Sequence, residues 1–382
     1  MTAILHLNKD RDRSVRNGHP WIFSGAVNRC EGAPKEGDLV EVRSSIGAII
    51  GRGFFGDRSI SAKLLTFDAQ PIDLNLYTQR LESALGARKA VGLLARSDLN
   101  CFRIVHGEGD GLAGLIVDKF ANIASIELHS SGHVPFLPDI TAALLKVMPE
   151  LTGIFAAGAG LAEPTWLHGG PQASVEVNEL GIQLNIPLIG GQKTGYFLDQ
   201  RTNRALLATF AKGRSVLDLF SYIGGFALHA AVAGAARVEA VDGSKPAIAG
   251  LNANAALNNV QINAMTGDVF DYLKHGTEAF DCVVVDPPAF VKHRAALQSG
   301  IRGYQNLNQA AFRRVAPGGL MLTCSCSQLV TEEDFFVAVR NAAGVSGRQV
   351  RVLRKLGQAE CHPTNIFHAE ARYLKGLLLH VS

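Results

Sequence analysis

Between about residue 185 and its end, the chain alternates short runs of aliphatic and β-branched residues with segments of helical period, and most of these runs stop at or near an aspartate. Residues 215–220 read as a buried strand, Gly224-Gly225 as a turn and residues 226–233 as a helix. Residues 238–242 and 245–257 repeat the strand and the helix, and residues 265–268, 282–286 and 320–324 continue the series. A run apolar on both faces needs cover on both, and strands linked through helices run parallel. The pattern therefore predicts an α/β fold in which an open parallel sheet lies between helices. Residues 349–356 and 373–381 read as two further strands that close the sheet as an antiparallel pair.

Before residue 185 the pattern is different, and 382 residues exceed what one ordinary core accommodates. Up to about residue 70, short strands and turns suggest a small β-barrel: Leu39-Val40-Glu41-Val42 alternates, Gly47 punctuates, and residues 48–55 are apolar and glycine-rich. Helical period over 74–94 and 138–147, with strand-like 123–128 between, suggests a middle α+β domain. The expected division is 1–70, 71–185 and 186–382.

A content of 47% hydrophobic and 19% charged residues excludes a disordered or fibrous chain. The six cysteines (Cys30, Cys101, Cys282, Cys324, Cys326, Cys361) show no CxxC spacing, and no apolar segment has the length of a signal core or a membrane span. A cytoplasmic protein with reduced thiols and no membrane partner is expected. The formal charge of +3 does not by itself demand a polyanion. Its clusters, Lys9, Arg11, Arg13 and Arg16 early and Lys292, His293, Arg294, Arg302, Arg313 and Arg314 late, read either as phosphate-binding faces or as solvated surface.

In an open parallel sheet the ligand lies at the carboxyl ends of the strands, where Asp218, Asp242, Asp268 and Asp286 all fall. The loop Asp218-Leu219-Phe220-Ser221-Tyr222-Ile223-Gly224 enters a helix without the GxGxxG spacing of a dinucleotide site. S-adenosylmethionine fits better, because it carries an adenosine, a sulfonium and one carboxylate but no pyrophosphate. Phe220, Ser221 and Gly224 are the candidate cradle. Asp242 suits the two ribose hydroxyls, which need an acceptor, and Asp268 suits either the adenine amine or a helix N-cap. Residues 191–201, with Lys193, Thr194, Gly195 and Phe197, read as a loop folding over this cofactor, with Arg201 or Arg204 near its carboxylate or an RNA phosphate; a solvated linker is the alternative.

Asp286-Pro287-Pro288-Ala289-Phe290 leaves one strand as a rigid, extended loop whose carboxylate is set for a planar amine or ring. Thr323-Cys324-Ser325-Cys326-Ser327 leaves the next, and a thiol there is the side chain best suited to reversible addition to an electron-poor ring carbon. A metal site is not expected, since no second Cys/His pair has suitable spacing.

Together these motifs resemble the bacterial and archaeal 23S rRNA cytosine-C5 methyltransferases of the large subunit methyltransferase I type. The resemblance runs over nearly the whole chain. It includes Gly18-His19-Pro20-Trp21-Ile22-Phe23, Gly107-Glu108-Gly109-Asp110-Gly111-Leu112, Gly114-Leu115-Ile116-Val117-Asp118, the stretches 191–204, 218–226 and 286–290, Ser325-Cys326-Ser327, His362-Pro363 and Tyr373-Leu374-Lys375-Gly376. It departs at Ile223 (usually threonine), Ala113 (usually proline) and Ala289 (often basic). The resemblance implies an RNA-binding PUA barrel, a middle domain and a Rossmann-like methyltransferase domain. It further implies a covalent mechanism in which Cys326 is the nucleophile, Asp286 holds the cytosine edge and Cys324 packs. The implied partner is rRNA, 23S in type, free or in an assembly intermediate; a homodimer is left open. Two rivals stand beside it. One is an exocyclic-amine methyltransferase (adenine N6 or guanine N2) that uses the Asp286 to Phe290 loop; the other is an RNA-binding assembly factor that binds the cofactor without turnover.

Overall fold

The computed structural model describes residues 2–191 and 194–382. The chain divides into two compact units. The first comprises Met1–Val177, Ile186–Tyr196 and Glu360–Ala371; the second comprises Asn178–Asn185, Phe197–Ala359 and Arg372–Ser382.

In the first unit, strands Ala3–Leu7, Trp21–Phe23, Val27–Glu31, Leu39–Arg43, Ile49–Phe55 and Ile60–Thr66 form one sheet. Ala3–Leu7 and Leu39–Arg43 pair parallel and its other pairs are antiparallel. Alternation in Leu39–Arg43 and its neighbours sends Leu5, Leu7, Val40, Val42 and Leu64 into one apolar core. Gly53 lies where a Cβ would run into the Lys63 carbonyl, so the close strand crossing there requires glycine. A second sheet orders Thr165–His168, Gly153–Gly158, Ile123–Leu128, Leu115–Phe120 and Cys101–His106, with helices Leu74–Ala90 and Leu137–Val147. Two buried ion pairs, Arg88 with Asp110 and Arg103 with Asp118, lie in this region. Trp21 donates from its indole to Glu108 at 2.8 Å, which joins two of the motifs that carry the resemblance.

In the second unit we label the strands β1 (Ser215–Leu219), β2 (Arg237–Asp242), β3 (Asn263–Thr266), β4 (Phe280–Val285), β5 (Val315–Ser325), β6 (Val350–Gly357) and β7 (Lys375–Val381). The helices are α1 (Arg201–Ala211), α2 (Gly225–Val232), α3 (Lys245–Leu257), α4 (Val269–His275), α5 (Leu297–Phe312) and α6 (Glu332–Ser346). Among the described residues the sheet order is β3-β2-β1-β4-β5-β7-β6. The first five strands are parallel, and β7 pairs antiparallel with β5 and β6. This is the expected Rossmann-like sheet, and the chain reverses strand order between β1 and β4. Its two faces carry separate cores. One is built on Leu217, Val283, Tyr304, Phe312 and Phe335, the other on Val216, Ala240, Leu251, Cys282 and Val284. Consecutive residues of one strand thus point to opposite cores, which is why these runs are apolar without interruption.

The third strand departs from expectation. It spans Asn263–Thr266 rather than 265–268, because Asp268 turns away to cap α4, its carboxylate accepting from the Asp271 amide at 3.0 Å. Arg314, counted above in a basic cluster, is buried; its guanidinium lies 4.6 Å from the Tyr272 ring centroid and donates to the Glu278 carbonyl. The other early and late basic residues are largely exposed.

Candidate active site

The carboxyl ends of β1, β2, β4 and β5 meet in the second unit, in register through Leu219 with Val241 and Val285, and through Val285 with Thr323. Beyond β1 the chain turns sharply. Phe220 and Tyr222 adopt left-handed conformations (φ 63° and 49°) that cost a non-glycine residue on the order of 1 kcal/mol each. Hydrogen bonds hold them there: Phe220 and Ser221 donate to the Val241 carbonyl at 2.9 and 3.1 Å, and the Tyr222 amide donates to Asp242 at 2.8 Å. Gly224 (φ 92°) completes the turn into α2. The other oxygen of Asp242 accepts from the Ser244 amide at 2.8 Å, so both oxygens are oriented by backbone.

Asp218 is buried and accepts from the Ala227 amide at 3.0 Å. Its second oxygen and the Ser221 hydroxyl are buried with no hydrogen-bond partner among the described residues. Burial, reinforced by the nearby charges of Asp286 and Asp242, pushes the Asp218 carboxyl up to about 8 against the opposing Ala227 amide. Asp268 is exposed just beyond β3, with one oxygen engaged as the α4 cap.

Asp286, at the end of β4, accepts from the Gln200 side-chain amide at 3.0 Å, and Gln200 in turn accepts from Asn203, which also donates to the Gly357 carbonyl at 3.1 Å. Neither Gln200 nor Asn203 was singled out in the sequence. Their position around the start of α1, after the glycine-rich stretch, was the available signal. Beyond β5, Cys326 is half-buried with its sulfur 3.8 Å from the Pro287 carbonyl, whereas Cys324 is fully buried. Burial, with Asp286 nearby, holds the Cys324 thiol well above its ordinary value. The serines of Ser325-Cys326-Ser327 lock the turn. The Ser327 hydroxyl accepts from the Val291 amide at 3.1 Å and lies 2.8 Å from the Tyr304 hydroxyl, and Ser325 accepts from the Ser327 amide at 3.3 Å.

The remaining expected residues are divided between the units. Phe197 belongs to the second and meets the Tyr222 ring edge-on at 5.5 Å. Arg204 is buried and held by both oxygens of Glu179 at 2.7 Å, while it donates to the Phe197 carbonyl at 2.9 Å. The guanidinium is thus committed to a buried carboxylate and to the Phe197 backbone. Arg201 is likewise buried, close enough to Glu179 to lower that carboxyl. Thr194 and Gly195 lie in the first unit. Thr194 donates to Asp118 at 2.5 Å, its carbonyl accepts from the Ser125 hydroxyl at 3.2 Å, and Gly195 has φ 129°. Lys193 lies outside the described residues.

A seven-strand order with a reversed closing strand and a cluster of acidic strand ends defines the class: residues 160–363 match the model of the S-adenosylmethionine-dependent methyltransferases, and residues 5–67 match that of the PUA-like domain. S-adenosylmethionine is the cofactor. The residues present fit it, since a buried orphan acceptor at Asp218 and several acidic ends suit a cationic sulfonium and hydroxyl donors. Along 98% of both chains, the sequence is 36% identical to the ribosomal RNA large subunit methyltransferase I of Vibrio cholerae. It is also 36% identical, along 99% of both, to that of Aeromonas salmonicida. The chain belongs to the ribosomal RNA large subunit methyltransferase I family. A solved structure provisionally described as a methyltransferase complexed with SAH shares the fold over the full length of both chains (TM-score 0.88, 21% identity). A provisionally described S-adenosylmethionine-dependent methyltransferase from Streptococcus mutans does so too (TM-score 0.86, 22% identity).

Proposed function

We propose that this protein acts in the cytoplasm on 23S ribosomal RNA and transfers a methyl group to C5 of a cytidine through a covalent adduct between Cys326 and C6. The observation that carries the reading is the pairing of a half-exposed Cys326 at the end of β5 with Asp286 at the neighbouring end of β4, while Cys324 is fully buried. In the same reading, Asp242 takes the ribose hydroxyls, and Asp218, Phe220, Ser221 and Gly224 line the methionine side. Asp268 offers its remaining acceptor to the adenine amine, and Phe197 flanks the cofactor.

When bound, S-adenosylmethionine supplies an electrophilic methyl group on cationic sulfur. The Cys326 thiolate forms the sulfur–C6 bond, and the C5–C6 π pair moves into the ring as Asp286 delivers a proton to N3 and accepts from the exocyclic amine. C5, now enamine-like, takes the methyl group as the methyl–sulfur bond breaks, leaving S-adenosylhomocysteine. Solvent water takes the C5 proton, its C–H pair returns the C5–C6 double bond as the Cys326–C6 bond breaks, and N3 gives its proton back to Asp286, which regenerates thiolate and carboxyl. A paired base cannot reach such a site, so the target is single-stranded or flipped out. The PUA-like domain and the exposed Lys9, Arg11, Arg13 and Arg16 hold RNA by phosphate and shape.

Nucleoside mass spectrometry of undermodified rRNA tests the reading. With S-adenosylmethionine, wild type is expected to form 5-methylcytidine and Cys326→Ala none, and RNA carrying 5-fluorocytidine is expected to trap a covalent complex. Methylated adenine or guanine formed equally by both proteins would move the function to the exocyclic-amine reading.

A further inference from the structure

Lys375 opens β7 with its side chain buried, an uncommon place for an ammonium group. It donates to the carbonyls of Ser327 and Val330, each at 2.6 Å, and so grips both ends of the turn that follows Cys326. The backbone register explains how it gets there. Antiparallel pairing sets Lys375 opposite Ser325, the residue before Cys326. These short, charge-assisted bonds to two carbonyls add to those by which Val291 and Tyr304 already hold Ser327.

From this geometry we infer that Lys375 is a positioning residue for the reaction: it fixes the Cys326 turn and supplies the positive potential that stabilises the Cys326 thiolate. The inference rests on the reading of Cys326 as nucleophile. A thiolate needs a nearby cation to form near neutral pH, and cysteine reactivity follows that environment. Among the described residues, several packed elements bring charged or titratable groups to this turn. Burial, acting with Asp286 at the end of β4, raises the thiol of Cys324 on β5, Tyr304 on α5 bonds to Ser327, and the charge of Asp334 on α6 acts on the ammonium. Among these described groups, Lys375 is the cation. Burial pulls the Lys375 ammonium down to about 8, while Cys326 and Asp334 pull it back up. That coupling is mutual, so the ammonium favours the thiolate as the thiolate favours the ammonium.

The test compares wild type, Lys375→Gln, which keeps donors without charge, and Lys375→Arg, which keeps charge. The full chain, without RNA or cofactor, is alkylated with iodoacetamide across pH, and the Cys326 peptide is quantified by mass spectrometry. The pH of half-maximal Cys326 alkylation is expected to rise by about one unit or more in Lys375→Gln and to return toward wild type in Lys375→Arg, with the pH profile of methyl transfer moving in parallel. Thermal melting and binding of S-adenosylhomocysteine confirm that each variant is folded. An unchanged alkylation profile in folded Lys375→Gln overturns the inference. Because alkylation is read without substrate, a fully active Cys326→Ala would sink the nucleophile reading separately.

Discussion

Replacing Glu179 by glutamine isolates the buried ion pair that supports the Phe197 side of the site. Glu179 is fully buried; its two oxygens each lie 2.7 Å from the Arg204 guanidinium, and His229 approaches to 3.7 Å. Burial works to raise this carboxyl, and Arg204 and His229 overcome it, so the net shift is downward. The glutamine amide keeps the shape but removes the charge, which leaves Arg204 buried without a counterion. Breaking one side of such a pair costs about 3–5 kcal/mol. Set against a total stability of roughly 5–15 kcal/mol, that is a large loss. At about 2–4 °C per kcal/mol for a unit of this size, the transition falls by roughly 10 °C. Urea denaturation followed by circular dichroism measures the loss, and Arg204→Met in the glutamine background is expected to recover most of it, because the stranded charge is gone. The sign with pH also follows. A depressed folded-state carboxyl stabilises above the ordinary glutamate value of 4.5 and loses that contribution as pH falls through its folded value, so wild type and variant converge in acid. A loss under about 1 kcal/mol, or a double variant no more stable than Glu179→Gln, would refute the argument.

Two further outcomes are expected. With the Asp218 carboxyl raised from 3.8 to about 8, the folded protein without cofactor holds a proton that the unfolded chain releases, so this group's stabilisation fades as pH rises from about 4 to 8. Bound cationic cofactor should draw that proton off. Calorimetry of cofactor binding near pH 7 in buffers of different ionisation heat should then show proton release in wild type and none in Asp218→Asn. Gln200→Ala frees the Asp286 carboxylate that Gln200 orients; kcat is expected to fall by up to the order of a hundredfold with cofactor affinity nearly intact, and an unchanged kcat would remove Gln200 from the machinery.

What the sequence alone determined is what neighbouring residues decide together. The apolar run ending at Leu219, the Gly224 turn, the helix Lys245–Leu257 and the Asp286-Pro287-Pro288 exit are written in local period, β-branching and backbone restriction, and each was legible. So was the gathering of acidic strand ends, because parallel strands linked through helices present their carboxyl ends on one side. Tertiary structure alone decided which charged groups were removed from water. Arg204, read in the sequence as near a cofactor carboxylate or a phosphate, and Arg314, read in a basic cluster, are both buried, held by Glu179, 25 residues from Arg204, and by the Glu278 carbonyl, 36 residues from Arg314. It likewise buried Cys324 while leaving Cys326 partly open, and it brought Lys375 under the Cys326 turn from a strand 48 residues beyond Ser327. A charge is tolerated in the interior only where partners satisfy it, and which partners arrive depends on sheet order and register, which no local pattern carries.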